Sequence, residues 1–199
     1  MFQTGDLFQR TITNPKGNLT MLKSIALILT SLALAVAGAA RAQTSAAAAA
    51  PTDPQIAMIA VTADNVDIEA GKMAAQKASS KEVKEFAETM VRDHTAVNGK
   101  ATALAKKLNM TPEESATSKS LKSDGDATMA KLKGMSGAEF DKAYVDNEVA
   151  YHEAVIGVVT KTLIPNTKNA ELKSLLESAG PIFASHLDHA KHLQATLNK

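Results

Sequence analysis

The chain has 199 residues, room for one domain plus a targeting segment, and contains no cysteine and no tryptophan. Without cysteine there can be no disulfide, c-type haem attachment, iron–sulfur ligation or lipidated N-terminal cysteine, so any metal must be held by His, Asp, Glu or Met. The formal charge of +1 becomes −2 beyond residue 42, because Arg10, Lys16, Lys23, Arg41 and Asp6 precede that point, and no nucleic-acid footprint survives.

Residues 1–20 are polar and turn-rich and stand before a second methionine, which reads as a start-site extension. From Met21 the pattern is that of a secretory leader over residues 21–42: Lys23 gives the positive region, Ile25 to Gly38 the apolar stretch, and Ala40-Arg41-Ala42 the small-x-small cleavage signal. The apolar run is short for a membrane span and ends in a cleavage signal, so no stable membrane insertion is expected after cleavage following Ala42. The expected location is periplasmic or secreted. Residues 43–52 are an Ala-rich linker, and residues 53–199 form the folded domain.

Hydrophobic residues make up 45% of the chain and aromatics 4%, a mix from which Ala, Leu, Val, Ile and Met must build the core, and one that favours helices. Pro54 suits the first turn of a helix beginning at Asp53 and running to about Ala78. Ser79-Ser80-Lys81-Glu82 reads as a capping box opening a second helix that ends near Asn109. Thr111-Pro112-Glu113-Glu114 is another start signal, but the stretch after it is Ser/Thr/Lys-rich with Asp124-Gly125-Asp126 inside it, and reads as a long crossover with one short helix or two. Ser136-Gly137-Ala138-Glu139 is a second capping box; the helix it opens should stop before Pro165-Asn166. A last helix fills the rest, with a kink or break at Gly180-Pro181. Four long helices joined by two short turns and one long crossover have the connectivity of an all-α, ferritin-like four-helix bundle.

Written at alternating spacings of four and three, the second helix gives Val83, Ala87, Met90, His94, Val97, Ala101, Leu104 and Leu108. The third gives Val145, Val149, His152, Ile156, Val159 and Leu163, and the last gives Leu176, Ala179, Phe183, His186, Ala190, Leu193 and Leu197. Each apolar seam holds one imidazole near its middle. The first helix gives Ile59, Thr62, Val66, Glu69 and Met73, placing a carboxylate that would need a partner inside the bundle. At about 1.5 Å of rise per residue, Glu69, His94, His152 and His186 fall in the middle third of the bundle if the crossover makes the second and third helices parallel. Glu148, one turn before His152, joins that zone, and Asp93 sits beside the second seam.

His189 and His192 follow His186 at intervals of three, but His192 faces away from the seam and reads as solvated. Met73 and Met90 suit core filling better than ligation, though Met90 with a facing histidine could hold b-type haem. Tyr144 and Tyr151 read as packing residues with outward-bonded hydroxyls.

The run from Val83 to His94 with its Asp93-His94 pair, Phe140-Asp141-Lys142-Ala143-Tyr144 leading to His152, and Pro181 followed by His186-Leu187 together resemble the bacterial Domain of Unknown Function 4142 family. The resemblance spans about Asp53 to Leu197 and implies an exported, ferritin-like protein. Members often carry an outer-membrane label, yet nothing here has the strand alternation of a barrel. Ferritin-like carboxylate proteins place Glu-x-x-His on two helices; here Val91 and Phe183 occupy the Glu positions, which speaks against a di-iron centre.

Two functional readings follow. The sequence favours a periplasmic, non-enzymatic envelope or stress-associated module whose histidines form a buried network with Glu69. The alternative is a metal-binding or metal-dependent oxidoreductase bundle in which Glu69, His94, Glu148, His152 and His186 hold one zinc, copper, nickel or iron ion. A homo-oligomer or an envelope partner is compatible with either.

Overall fold

A computed structural model describes residues 50–199; the expected extension, the leader and the linker up to residue 49 lie outside the described residues. Helix α1 spans Asp53–Lys77, α2 Lys81–Lys107, α3 Ala116–Lys133 and α4 Gly137–Val158. A π-helical turn, Val159–Leu163, leads into the single turn α5, Ile164–Asn166, and α6 spans Ala170–Leu197. The described residues contain no strand, and none of their helices is long and apolar enough to cross a membrane.

The long helices α1, α2, α4 and α6 form the ferritin-like bundle: α1 pairs with α2 and α4 with α6, while α2 also meets α6 and α1 meets α4. The start of α4 lies at the start of α2, so these two helices run parallel, as a long crossover requires. Each helical pair closes the other's turn. Asp141 of α4 accepts hydrogen bonds from the amides of Ser79 and Ser80 at 2.9 and 2.8 Å. Asp53 of α1 accepts from the amides of Lys168 and Asn169 at 2.9 and 2.8 Å.

The crossover is more ordered than expected: it contains one helix of 18 residues, α3, packed along α1. It starts later than Thr111-Pro112, because Ser115 and Ser118 cap each other's backbone amides. Gly125, which with its flanking aspartates reads as a turn in the sequence, is helical and buried: a Cβ there would meet Val66 Cγ2 at 2.8 Å.

The other helix ends also differ from expectation in detail. Ser80 rather than Ser79 caps α2, accepting from Val83 N at 3.3 Å, and Glu82 receives the Ser80 hydroxyl instead of returning to the backbone. Ser79 is thereby left to meet Asp141. Ser136 makes no side-chain cap; α4 is entered through Gly137 at φ 58°, a left-handed conformation suited to glycine. Helical structure continues past Pro165, which lies in α5 directly after the π-turn, and stops at Asn166. Helix α6 runs unbroken through Pro181, held on both sides by buried Ala179 and Phe183.

Candidate metal centre

The seams of α2, α4 and α6 lie as the spacing predicts, and their imidazoles are buried: His94, His152 and His186 are 2%, 1% and 4% exposed. Ring centroids are 5.6 Å apart for His94–His152, 5.1 Å for His94–His186 and 5.7 Å for His152–His186. Each residue offers a ring nitrogen such that all three lie within 4.8 Å of one another. Phe183, one turn before His186, stacks on the His94 ring at 5.2 Å and fixes its plane.

The other nitrogen of each ring is engaged. His152 Nδ1 lies 3.0 Å from the Glu148 carbonyl, which can only accept, so Nδ1 carries the proton and Nε2 the lone pair. His94 Nδ1 lies 2.8 Å from Asp64 Oδ1, and His186 Nε2 lies 3.0 Å from Asp93 Oδ2. Donation to these groups, to Asp64 in its ionised form, leaves lone pairs on His94 Nε2, which lies 3.6 Å from Asp67 Oδ2, and on His186 Nδ1. These three nitrogens, His94 Nε2, His152 Nε2 and His186 Nδ1, are buried and have no hydrogen-bond partner among the described residues.

Glu69 is not part of the cluster. It is exposed on α1, and the buried acids of that helix are Asp64 and Asp67, each 3% exposed. The expected seam through Thr62, Val66 and Glu69 is one residue out of register with the face that meets the bundle. Thr62 and Val66 are only partly buried, and Val66 packs instead against Gly125 of α3. An equally regular series was present in the sequence: Ile56, Ala60, Ala63, Asp67, Ala70 and Ala74, again at spacings of four and three. Its small residues give a weaker apolar signal, which is why the Val-containing series outscores it.

Glu148 is fully buried, and Asp67, Glu148 and His152 each offer an atom within 4.8 Å of the others. Burial, and then the facing Glu148 carboxyl, raises Asp67 well above the usual carboxylate range; burial pushes Glu148 up to about 8 and Asp64 up to about 7. Burial drives the imidazoles the other way, His94 to about 4 and His152 to about 3, while His186 is also lowered. The cluster therefore stores protons on its acids and keeps its imidazoles neutral, the form that ligates metals. Both oxygens of Glu148 and the buried hydroxyl of Tyr144 have no hydrogen-bond partner among the described residues.

The remaining candidates lie elsewhere. His189 and His192 are exposed, with the His189 ring against Phe86 at 5.0 Å. Met90 is fully buried core, and Met73 is partly buried beside it. Tyr151 donates its hydroxyl to the Ala63 carbonyl at 3.2 Å, whereas Tyr144 is fully buried rather than turned outward.

The quoted motifs now have physical roles. Asp93 accepts from both Arg92 and His186, His94 faces the cluster, Asp141 closes the α1–α2 turn, and Tyr144 stands in the core one turn before Glu148. The profile described as Domain of unknown function (DUF4142) matches residues 38–193. The chain belongs to the DUF4142 family. Among solved structures, this DUF4142 protein is similar to one titled "CopM in the Cu(II)-bound form", with a TM-score of 0.57 and 15% identity over 74% of this chain and 99% of that chain. At that identity the likeness is one of fold. Curated protein sequences give no match to the chain.

Proposed function

We propose that this DUF4142 protein is an exported, periplasmic metal-binding bundle in which His94, His152 and His186 supply three nitrogen ligands. Asp67 and Glu148 supply negative charge or a further oxygen ligand beside them. One observation carries the reading: three buried lone-pair nitrogens, left without partners, come from rings whose opposite nitrogens are each anchored. Anchoring of this kind, by a carboxylate or a backbone carbonyl, is how metal-bound histidines are oriented and made more basic. A purely structural network would be expected to satisfy its own members, since each buried unsatisfied polar group costs about 1–3 kcal/mol.

Three imidazoles flanked by carboxylates suit a single zinc or copper(II) ion, with nickel and iron(II) as weaker fits. The Cu(II) named for the fold neighbour makes copper the first ion to titrate. The donors lie within 4.8 Å of one another, against roughly 3.3 Å between ligands of a tetrahedral zinc site, a range that small side-chain rotations span. When bound, such an ion supplies Lewis acidity or, for copper and iron, one-electron chemistry.

The test is elemental analysis of protein isolated from the host envelope, followed by calorimetric titration of Cu(II), Zn(II) and Ni(II). One equivalent of metal, lost together in His94→Ala and His152→Ala, is the expected result. Metal-free protein that takes up none of these ions would leave the buried-network reading in its place. Export is tested separately by N-terminal sequencing, which should start near Gln43.

A further inference from the structure

A cavity of about 210 Å³ runs from the cluster along the bundle axis. Protein interiors rarely hold voids much larger than a water molecule, and apolar ones stay dry and take up apolar molecules; an engineered void of about 150 Å³ holds benzene. The wall here is aliphatic, from Ile59, Val97, Leu104, Val159 and Leu176, and is widened by Ala60, Ala63, Ala101 and Ala105. At one end stand Asp64, Asp67, His94 and His152. The exposed residues Thr117 and Asp124 of α3 and Ala154 of α4 line it as well. His186 and Glu148 do not line it.

Apart from two imidazoles and Tyr151, its ionisable side chains are carboxyls. Asp64, Asp67 and Asp124 line it, and no Lys or Arg does so among the described residues. His94 Nε2 and His152 Nε2, both deeply buried and without partners, belong to residues of the same polar end. An anion entering this cavity would meet carboxyl groups and no cation. A cation on an apolar body would meet two buried acids at the end of an aliphatic tunnel, and a buried acid gains most from a partner of opposite charge.

We propose that the cavity is a binding site for a small cationic amphiphile: a protonated primary amine on an aliphatic body of roughly eight carbons, scaled from the six-carbon ring in the smaller void. The ammonium group pairs with Asp67 and the free side of Asp64, and the body lies along Leu104, Val159 and Leu176. This site goes beyond the metal reading and does not depend on it.

The experiment is calorimetric titration of the purified, chelator-treated protein with n-octylammonium, 1-octanol and octanoate, each below its micelle concentration, at pH 8. The expected result is saturable one-to-one binding of octylammonium about tenfold tighter than octanol, with octanoate weakest. Ala101→Leu and Ala105→Leu, which fill the wall, should each weaken the amine at least tenfold while retaining cooperative thermal melts. Asp67→Asn should bring the amine down to the affinity of the alcohol. Octanoate binding as tightly as octylammonium, no binding of any of the three, or indifference to both wall-filling variants would overturn the proposal. Because the probe is offered to chelated protein, its failure would leave the metal titration untouched, and a protein that takes up no metal could still bind the amine.

Discussion

Asp93 and His186 are joined by a 3.0 Å contact between carboxylate and Nε2, and the same carboxylate accepts from Arg92 at 2.8 Å. The bond from Arg92, followed by that from His186, holds Asp93 below the usual carboxylate range, so it is ionised and His186 must donate. Nδ1 is thereby left as the inward acceptor. Asp93→Ala removes that orientation without opening the core, since Asp93 is partly exposed. Metal affinity should fall about 10–100-fold, with a cooperative melt retained. Calorimetry beside circular dichroism reads both, and unchanged affinity would remove His186 from the ligand set.

Metal binding should release protons at neutral pH. The acids of the cluster carry them, with Asp64 and Glu148 at about 7 and about 8, while His94 and His152 at about 4 and about 3 are already neutral. Apparent affinity should therefore rise with pH through the range of about 6.5 to 8. Titration in buffers of different ionisation enthalpy gives the proton count. Zero release at pH 7 would contradict the assignment.

Stability of the chelated protein should fall above pH 6.5. The folded Asp64 and Glu148 hold protons to about 7 and about 8 against ordinary values of 3.8 and 4.5, so their stabilising contribution is full at low pH and lost as pH rises through those values. His94 and His152 act in reverse: lowered from 6.5 to about 4 and about 3, they contribute fully above 6.5 and lose that contribution as pH falls toward their folded values. Between about 4.5 and 6.5 the two effects oppose each other, which predicts a plateau. From pH 6.5 to 8 the acids dominate, with a loss of about 1–2 kcal/mol. Urea melts across this range measure it, and saturating metal should abolish the decline.

Gly125→Ala should destabilise the fold by about 1–2 kcal/mol. The new methyl group meets Val66 Cγ2 at 2.8 Å and Cγ1 at 3.0 Å. Val66 is β-branched and cannot turn aside easily, so the strain outweighs the roughly 1 kcal/mol of helix propensity gained. A urea midpoint at or above the wild-type value would mean that α3 is not seated as described.

Glu69→Gln should be silent. The side chain is exposed, so stability should stay within about 0.5 kcal/mol and metal binding should not change. A loss of metal in this variant would restore the register expected from the sequence.

The helices and three of the four seams were legible because each carries apolar residues large enough to mark its buried face. Rise per residue places His94, His152 and His186 at one level once the long crossover is taken to make α2 and α4 parallel. The contribution of α1 was not legible in the same way: two of its faces are covered, one by the bundle and one by α3, and the valine on the second face drew the assignment away from Asp64 and Asp67. In sequence the crossover reads as holding only one short helix or two because Asp124-Gly125-Asp126 is turn chemistry locally, whereas contact with Val66 makes glycine necessary in a helix. Caps depart from the sequence expectation where a distant carboxylate intervenes, as when Asp141 takes Ser79 out of its expected role.

The reciprocal closure of the two turns by Asp141 and Asp53 bears on how the molecule comes apart. Neither antiparallel helix pair can fray at its own bend without releasing bonds whose acceptor belongs to its neighbour. The halves are thus poor candidates for autonomous fragments, and the domain is built to open as one cooperative unit, so that the buried imidazoles are assembled or dispersed together.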